Sequence, residues 1–260
     1  MRKYRTVAVA ACALSLACAL PTAQSAEKKK AQVEKGHWAY TGKTGPQKWG
    51  ELEKDFAECK LGQAQSPIDI ADAATRKGDF PTLLLQYKPS AARIVDNGHT
   101  IQVNVDPGNG FTVGDKRYEL LQFHFHKPSE EKINGKAYDM VAHLVHKSAD
   151  GKLAVIAVLL NQGKDNPALK PVFASLPKDK ETETPLKEPV NLVALLPDDT
   201  GYYSFPGSLT TPPCSESVTW FVLKKPSTIS PDSLARFGKI YPMNARPTQP
   251  LNGRDITATR

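Results

Sequence analysis

Short stretches of alternating or β-branched side chains, separated by turn residues, recur along most of this 260-residue chain. Such stretches favour strands, and they cover residues 100–105, 117–126, 140–146, 153–160 and 217–223. Dipeptides such as Asn97-Gly98 and Asn134-Gly135 lie between them, and 21 prolines are spread along the chain. Because turn residues interrupt the chain so often, we expect few central helices, and the sequence predicts a mainly β fold.

Two segments are predicted as helices because each opens with helix-start residues. Residues 166–176 have Pro167 near their start, and residues 230–237 begin with Ser-Pro-Asp. The charged stretch 178–189, which contains prolines, is predicted as a surface loop. Neither an internal repeat nor a change in composition divides residues 37–260. We therefore expect one domain with a few short peripheral helices.

The first 25 residues have the pattern of a secretory signal peptide. A basic start is followed by an apolar run of about 14 residues, which is shorter than the ~20 that a membrane span needs. Small residues at 23–26 then provide a cleavage region. We expect an exported protein, periplasmic or secreted, with no membrane span and with a flexible tether of lysine and glutamate over residues 26–36.

The net charge of the chain is mild. Its formal value is +7, and three of the basic residues, Arg2, Lys3 and Arg5, lie in the leader. The exported part is therefore too weakly basic to indicate a nucleic-acid partner.

The cysteines point to one covalent link. Cleavage would remove Cys12 and Cys18, so the exported domain would keep only Cys59 and Cys214. An even pair of cysteines in an oxidising compartment favours a disulfide. Two separate buried thiols are the alternative at this point.

Four of the six histidines form two pairs in the sequence. His124 and His126 are two residues apart, so on a strand they would project from one face, close enough to share a metal. His143 would reach that face if its strand pairs antiparallel with theirs, whereas His146 would face away. Three imidazoles with an open fourth position are typical of a catalytic zinc site. Histidine pairs on strands also occur as ordinary surface or core residues, so the pattern alone leaves both interpretations open.

Several longer segments resemble the signature segments of the α-class carbonic anhydrases and occur in the same order. They are residues 65–70 (QSPIDI), 97–99 (NGH), 122–126 (QFHFH), 142–146 (AHLVH), 206–213 (PGSLTTPP), 218–220 (VTW) and 244–251 (NARPTQPL). The resemblance covers nearly everything after His37. It implies a single domain around a large, mostly antiparallel twisted sheet, with the metal at the bottom of a cone-shaped cleft.

The resemblance implies a zinc-dependent lyase that reversibly hydrates carbon dioxide to bicarbonate and a proton. In that family Zn²⁺ would be held by His124, His126 and His143, and zinc-bound hydroxide would attack the substrate. The resemblance also implies that Thr210 and Glu130 orient the hydroxide and that His99 is a proton shuttle. Gln122 and Asn244 would accept hydrogen bonds from His124 and His126. The implied apolar substrate wall consists of Val145, Val155, Leu209, Val218 and Trp220.

The chain departs from the family pattern near the third ligand. The family has a glutamate two residues before that histidine, where this chain has Val141, and Glu131 stands where the family usually has histidine or asparagine. We expect the Glu131 carboxylate to accept the hydrogen bond of the His143 ring, while Val141 fills the vacated volume. The alternative is an exposed Glu131, with a backbone or water partner for His143.

Two other functions are compatible with the sequence. A carbonic-anhydrase-like binding module would keep the fold without the metal, although such modules typically lack a ligand histidine and this chain has all three. A zinc hydrolase could use the same centre on esters, although the chain has no His-Glu-x-x-His segment. The sequence leaves a homodimer open.

Overall fold

The computed structural model describes residues 37–260, so the predicted leader and tether lie outside the described residues. Its strands, in chain order, are β1 Asp69–Ile70, β2 Arg76–Gly78, β3 Leu84–Gln86, β4 Ala92–Asp96, β5 Ile101–Val105, β6 Gly110–Val113, β7 Lys116–His126, β8 Lys132–Ile133, β9 Lys136–Ala137, β10 Met140–Ser148, β11 Leu153–Gln162, β12 Thr184–Pro185, β13 Tyr202–Ser208, β14 Glu216–Leu223, β15 Ser227–Ile229 and β16 Thr257–Thr259. All five predicted strand segments overlap one of these.

One large sheet of 13 strands organises this part of the chain. Its main path runs β12-β4-β5-β7-β10-β11-β14-β13-β16-β2, and β3, β6 and β15 join at the side. Most pairs are antiparallel, whereas β11 pairs in parallel with β14 and β15, and β16 with β2. Strands β1, β8 and β9 form a separate small sheet. The predicted fold class, mainly β around a large and mostly antiparallel sheet, is confirmed.

The helices are short and lie outside the large sheet. They are α1 Trp49–Leu52, α2 Glu58–Leu61, α3 Lys170–Ala174 and α4 Pro231–Ile240, with 3₁₀ turns at Gly42–Thr44, Pro46–Lys48, Lys54–Phe56, Asp72–Ala74 and Leu192–Leu195. No helix within residues 37–260 is long and apolar enough to cross a membrane.

The second predicted helix is present, whereas the first is much shorter than expected. The Ser230 side chain caps α4 by accepting the N–H of Ser233. In the first segment residues 167–169 form a turn, in which the Asn166 side chain accepts the N–H of Ala168 at 3.0 Å. Helix α3 therefore begins only at Lys170.

A bulge in β7 changes which side chains face the core. The register with β10 shifts between Val145 and His146, which leaves Leu121 unpaired and 44% exposed. Leu120 and Phe123, on either side of the bulge, are both buried in the main hydrophobic cluster. The opposite face beyond the bulge is therefore free to carry Gln122, His124 and His126.

Two hydrophobic clusters lie on opposite faces of these central strands. The main cluster contains Phe123, Phe125 and Leu144, and the second contains Val141 and Val145. Alternation along the strands places His124, His126 and His143 on the side of the second cluster. The centre of the sheet thus separates a large apolar core from the face that carries the three histidines.

His146 lies on the core side of the sheet, as expected. Its ring is fully buried, lies edge-on to Phe111, and its Nε2 is hydrogen-bonded to the Tyr87 hydroxyl at 2.8 Å. These contacts bury His146 in the core, away from His124, His126 and His143.

Cys59 and Cys214 form a disulfide, so the alternative of two separate thiols is wrong for these residues. The bridge is buried beside Trp49 in a small third cluster. It fastens helix α2 to the loop between β13 and β14.

Candidate metal centre

Three histidine side chains converge on the face of β7 and β10. His143 on β10 stands directly opposite His124 on β7, and His126 follows on the same face of β7. One ring nitrogen from each of the three lies within 4.8 Å of the others. The strand register that the sequence predicted therefore brings these three residues together.

Hydrogen bonds fix the orientation of the two β7 rings. Nδ1 of His124 lies 2.8 Å from Oε1 of Gln122, and Nδ1 of His126 lies 2.8 Å from the backbone oxygen of Asn244. Because these oxygens accept, each Nδ1 carries the proton, and the lone pair is on Nε2. Both predicted acceptors are in place, and each ring presents Nε2 to the centre.

His143 is held by Glu131, as the departure from the family pattern predicted. Its Nε2 lies 3.0 Å and 3.1 Å from the two carboxylate oxygens, and Glu131 is completely buried. Val141 is also fully buried, in the second hydrophobic cluster. His143 thus presents Nδ1, and the alternative of a solvated Glu131 is wrong for this structure.

The three converging nitrogens fit a divalent transition metal. Nε2 of His126 is buried and has no hydrogen-bond partner within residues 37–260. Its lone pair is therefore available to a metal ion at the centre. Burial, reinforced by the neighbouring histidine charges, lowers the pKa of His126 well below its usual value and that of His124 to about 3. Three converging imidazoles form a ligand set that zinc accepts.

A cavity of about 120 Å³ opens beside the histidines. It is lined by Trp38, Tyr40, Asn97, His99, Thr100, Gln102, Gln122, His124, His126 and Thr211. The sequence analysis missed Trp38 and Tyr40 because they lie far along the chain from every segment it used. The sequence signal that could have identified them is the presence of two aromatic residues, Trp38 and Tyr40, at the start of the predicted domain. The Tyr40 hydroxyl is buried without a partner in the described part of the chain, and burial raises its pKa.

His99 lies at the cavity, in the turn between β4 and β5. Its ring stacks on Trp38 with 3.6 Å between the ring centroids and an angle of 9° between the planes. Burial, with a smaller contribution from the charge of His37, lowers the pKa of His99 to about 4. In this stacked position the ring is neutral at physiological pH.

Replacing Trp38 by alanine is expected to raise the pKa of His99 from about 4 towards the ordinary histidine value of about 6.5. Burial is the main cause of the shift, and the indole that covers one ring face would be gone. An NMR titration of the His99 ring protons measures this value. His37→Ala, which removes a smaller ring 5.6 Å from the His99 ring together with its charge effect, should raise the pKa less. An equal or larger rise in His37→Ala would contradict burial as the main cause.

Glu130 and Thr210 lie buried beside the histidines. Oε1 of Glu130 accepts the backbone N–H of Arg246 at 2.7 Å and lies 3.4 Å from Nδ1 of His126. Oε2 has no hydrogen-bond partner in the described residues. Burial raises the pKa of Glu130, whereas the neighbouring His143 lowers it. A cation held by the three histidines would further favour the ionised carboxylate.

An apolar surface borders the centre on the side of the second cluster. Its members are the five predicted wall residues: Val145, Val155, Val218 and Trp220, which are buried, and Leu209, which is partly buried against them. The Trp220 ring lies edge-on to the His143 ring, with 4.9 Å between centroids. The structure thus brings every predicted wall residue into one contiguous patch beside the ligand cluster.

The fold and the site define a β-sheet protein in which three converging histidines that could hold a metal ion lie beside apolar side chains. The family model for eukaryotic-type carbonic anhydrase matches residues 44–260. A carbonic anhydrase from Nostoc sp. is 44% identical over 229 residues, which cover 86% of this chain and 86% of the relative. A carbonic anhydrase from Pectobacterium carotovorum is 44% identical, over 85% of this chain and 90% of the relative.

Solved structures lead to the same family. The α-carbonic anhydrase from Thermovibrio ammonificans in complex with sulfanilamide has a TM-score of 0.83 and 41% identity, covering 86% of this chain and 99% of that chain. The chain belongs to the α-carbonic anhydrase family.

Proposed function

We propose that this protein reversibly hydrates carbon dioxide to bicarbonate and a proton at a zinc ion held by His124, His126 and His143. The observation that carries the proposal is the convergence of three imidazole nitrogens beside an apolar patch. Membership of the α-carbonic anhydrase family supports it. Zinc bound by three imidazoles supplies a Lewis acid that acidifies a coordinated water, so that a nucleophile is available near neutral pH.

The protein positions the reactants around that centre. Carbon dioxide is small and apolar, so the patch formed by Val145, Val218 and Trp220 can hold it through contact without hydrogen bonds. Because Trp220 adjoins the His143 ring, a molecule held by this patch would lie beside the histidine cluster.

Thr210 and Glu130 are proposed to orient the attacking oxygen. The partner-free Oε2 of Glu130 can accept the hydroxyl proton of Thr210, which leaves the Thr210 oxygen as an acceptor only. An acceptor at that point fixes where the proton of the nucleophile lies, and therefore aims its lone pair at the substrate.

We also propose that residues 37–260 are the catalytic domain of an exported protein. The Cys59–Cys214 disulfide supports export, because disulfides persist mainly in oxidising compartments.

The direct test is to compare stopped-flow hydration of carbon dioxide with hydrolysis of an aryl ester by the purified protein. The proposal predicts that hydration is much the faster reaction. Faster ester hydrolysis would indicate a zinc hydrolase, and no turnover of either substrate would indicate a binding module.

Replacing His99 by alanine is expected to slow turnover in dilute buffer, because a proton must then leave the cleft without an imidazole relay. Added imidazole should restore most of the rate, and kcat/KM for carbon dioxide should change little. Stopped-flow assays across buffer concentrations measure both quantities. Equal rates for the variant and the parent in dilute buffer would remove His99 from the mechanism.

Replacing Glu131 by glutamine is expected to weaken zinc binding by ~10–100-fold, because the ionised acceptor that orients His143 is lost. Competition with a chelator measures the affinity without relying on activity. Glu119→Gln, which changes an exposed carboxylate on β7, is the matched control and should bind zinc like the parent. Unchanged affinity in a folded Glu131→Gln protein would show that Glu131 does not support the ligand.

A further inference from the structure

Three amide side chains along the cleft wall form a continuous hydrogen-bonded chain that ends on a carboxylate. Nδ2 of Asn97 donates to Oε1 of Gln102 at 3.2 Å, and Nε2 of Gln102 donates to Oδ1 of Asn104 at 2.7 Å. Nδ2 of Asn104 then donates to Oε1 of Glu183 at 2.5 Å. Each of the three side-chain amides therefore donates its hydrogen bond in the direction of Glu183. We call this row of side chains the amide chain.

The two ends of this amide chain have fixed polarity. At one end, Oδ1 of Asn97 accepts the backbone N–H groups of His99 at 3.0 Å and Thr100 at 2.9 Å. Backbone N–H groups can only donate, and the Glu183 carboxylate at the other end can only accept. An amide can reverse its oxygen and nitrogen, but here every reversal would oppose two donors or two acceptors. The direction of all three amides follows from the two ends.

The amide chain lies against the metal centre. Gln102 and Asn104 on β5 stand directly opposite His124 and Gln122 on β7. Asn97 and Gln102 also line the cavity beside the histidines. The direction of the amide chain therefore sets which polar atoms face the cleft, and Asn97, at the end remote from Glu183, holds the turn that carries His99.

Backbone and side-chain contacts hold Glu183 in position. It lies in the loop 178–189, where β12 pairs with β4 through Thr184 and Ile94. On the other side of Glu183, the backbone N–H of Glu181 donates to the Asp96 oxygen at 2.7 Å. Oε2 of Glu183 lies 3.5 Å from Nε of Arg93 on β4. The surface loop thus delivers one carboxylate to the end of the amide chain.

We propose that Glu183 is a positioning residue for the His99 turn, acting through Asn104, Gln102 and Asn97. The inference rests on the proposed function in so far as His99 carries protons. Glu183 itself does not reach the centre, because three side chains separate it from the turn. Its part is to fix the direction of the amides.

The substitutions that test this follow from the contact geometry. In Glu183→Gln the end group can present either an oxygen or an NH₂ group to Asn104, so the chain loses its fixed direction. In the double variant Glu183→Gln/Asn104→Asp the carboxylate moves one position along the chain. There it can accept from Gln102 and from the new amide at position 183, so the direction from Gln102 to His99 is restored. Glu188→Gln, an exposed carboxylate of the same loop, is the matched control.

The first measurement is NMR of the side-chain NH₂ groups of Asn97 and Gln102 and of the His99 backbone N–H. Glu183→Gln should shift these signals, the double variant should restore them, and Glu188→Gln should leave them in place. The inference is overturned if Glu183→Gln leaves the signals unchanged, or if Glu188→Gln shifts them equally.

The second measurement is carbon dioxide hydration in dilute and in concentrated buffer. Glu183→Gln should lower turnover in dilute buffer by about fivefold, the factor of one net hydrogen bond, with kcat/KM unchanged and imidazole restoring the rate. The double variant should regain the parent rate, and failure to do so while the NMR signals recover would overturn the link to His99. A parent protein without hydration activity would defeat the proposed function, and the NMR comparison would still decide whether Glu183 holds the turn.

Discussion

Replacement of His143 by alanine is expected to abolish both zinc retention and carbon dioxide hydration. His143 supplies one of the three nitrogens that converge in the described part of the chain, and the remaining pair on β7 cannot complete a stable site. Removing its ring also leaves the Glu131 carboxylate buried without a partner, which adds a cost of its own. Metal analysis after dialysis, together with stopped-flow hydration, measures both losses.

Two other histidines serve as controls for that experiment. His37→Ala should retain zinc, because this residue lies outside the ligand cluster. His146→Gln should also retain zinc if it folds, since the ring packs on the opposite face of the sheet against Tyr87. Circular dichroism establishes folding for each variant. If His143→Ala retained as much bound zinc as the parent while a folded His146→Gln lost it, the β7–β10 strand register would be wrong.

Loss of the Cys59–Cys214 disulfide is expected to lower the free energy of unfolding by ~4–5 kcal/mol, because the bridge closes a loop of 155 residues in the unfolded chain. Alanine at both positions suits the apolar surroundings beside Trp49. Urea unfolding of the double variant and of the parent gives the difference. An unchanged free energy of unfolding would contradict the expected stabilisation.

The same variant should also affect catalysis, because the bridge supports the loop that contains Thr210. The N–H of Cys214 donates to the Thr211 oxygen at 2.9 Å, and the Gln65 side chain donates to the Cys214 oxygen at 3.0 Å. We expect a lower kcat than in the parent under conditions where both are folded. Two titratable thiols in the native exported protein would refute the bridge itself.

Runs of β-branched and other apolar residues predicted the central strands well, because both faces of β10 and β11 pack against hydrophobic clusters. The segment 153–160 corresponds to β11, Leu153–Gln162, and 140–146 to β10, Met140–Ser148. Strand β13 was missed because Pro206 and Gly207 interrupt its pattern. Helices α1 and α2 have four residues each, too few for a helical period to be visible in the sequence.

The ligand histidines could be predicted because strand geometry links residues two apart, and the resemblance supplied the remaining roles. The bulge at Leu121 could not be predicted, since it depends on pairing with β10. Nor could the stacking of His99 on Trp38, which joins segments about sixty residues apart through tertiary packing. The position of Glu183 in a charged loop likewise becomes informative only when β4 and β12 are paired.

Titration of zinc into the metal-free protein, with carbon dioxide hydration followed at each step, tests the central claim most directly. We expect no hydration without metal, a linear rise with added zinc, and a sharp break at one equivalent per chain, since one cluster of three histidines binds one ion. Hydration that is independent of zinc, or that continues to rise beyond one equivalent, would contradict it.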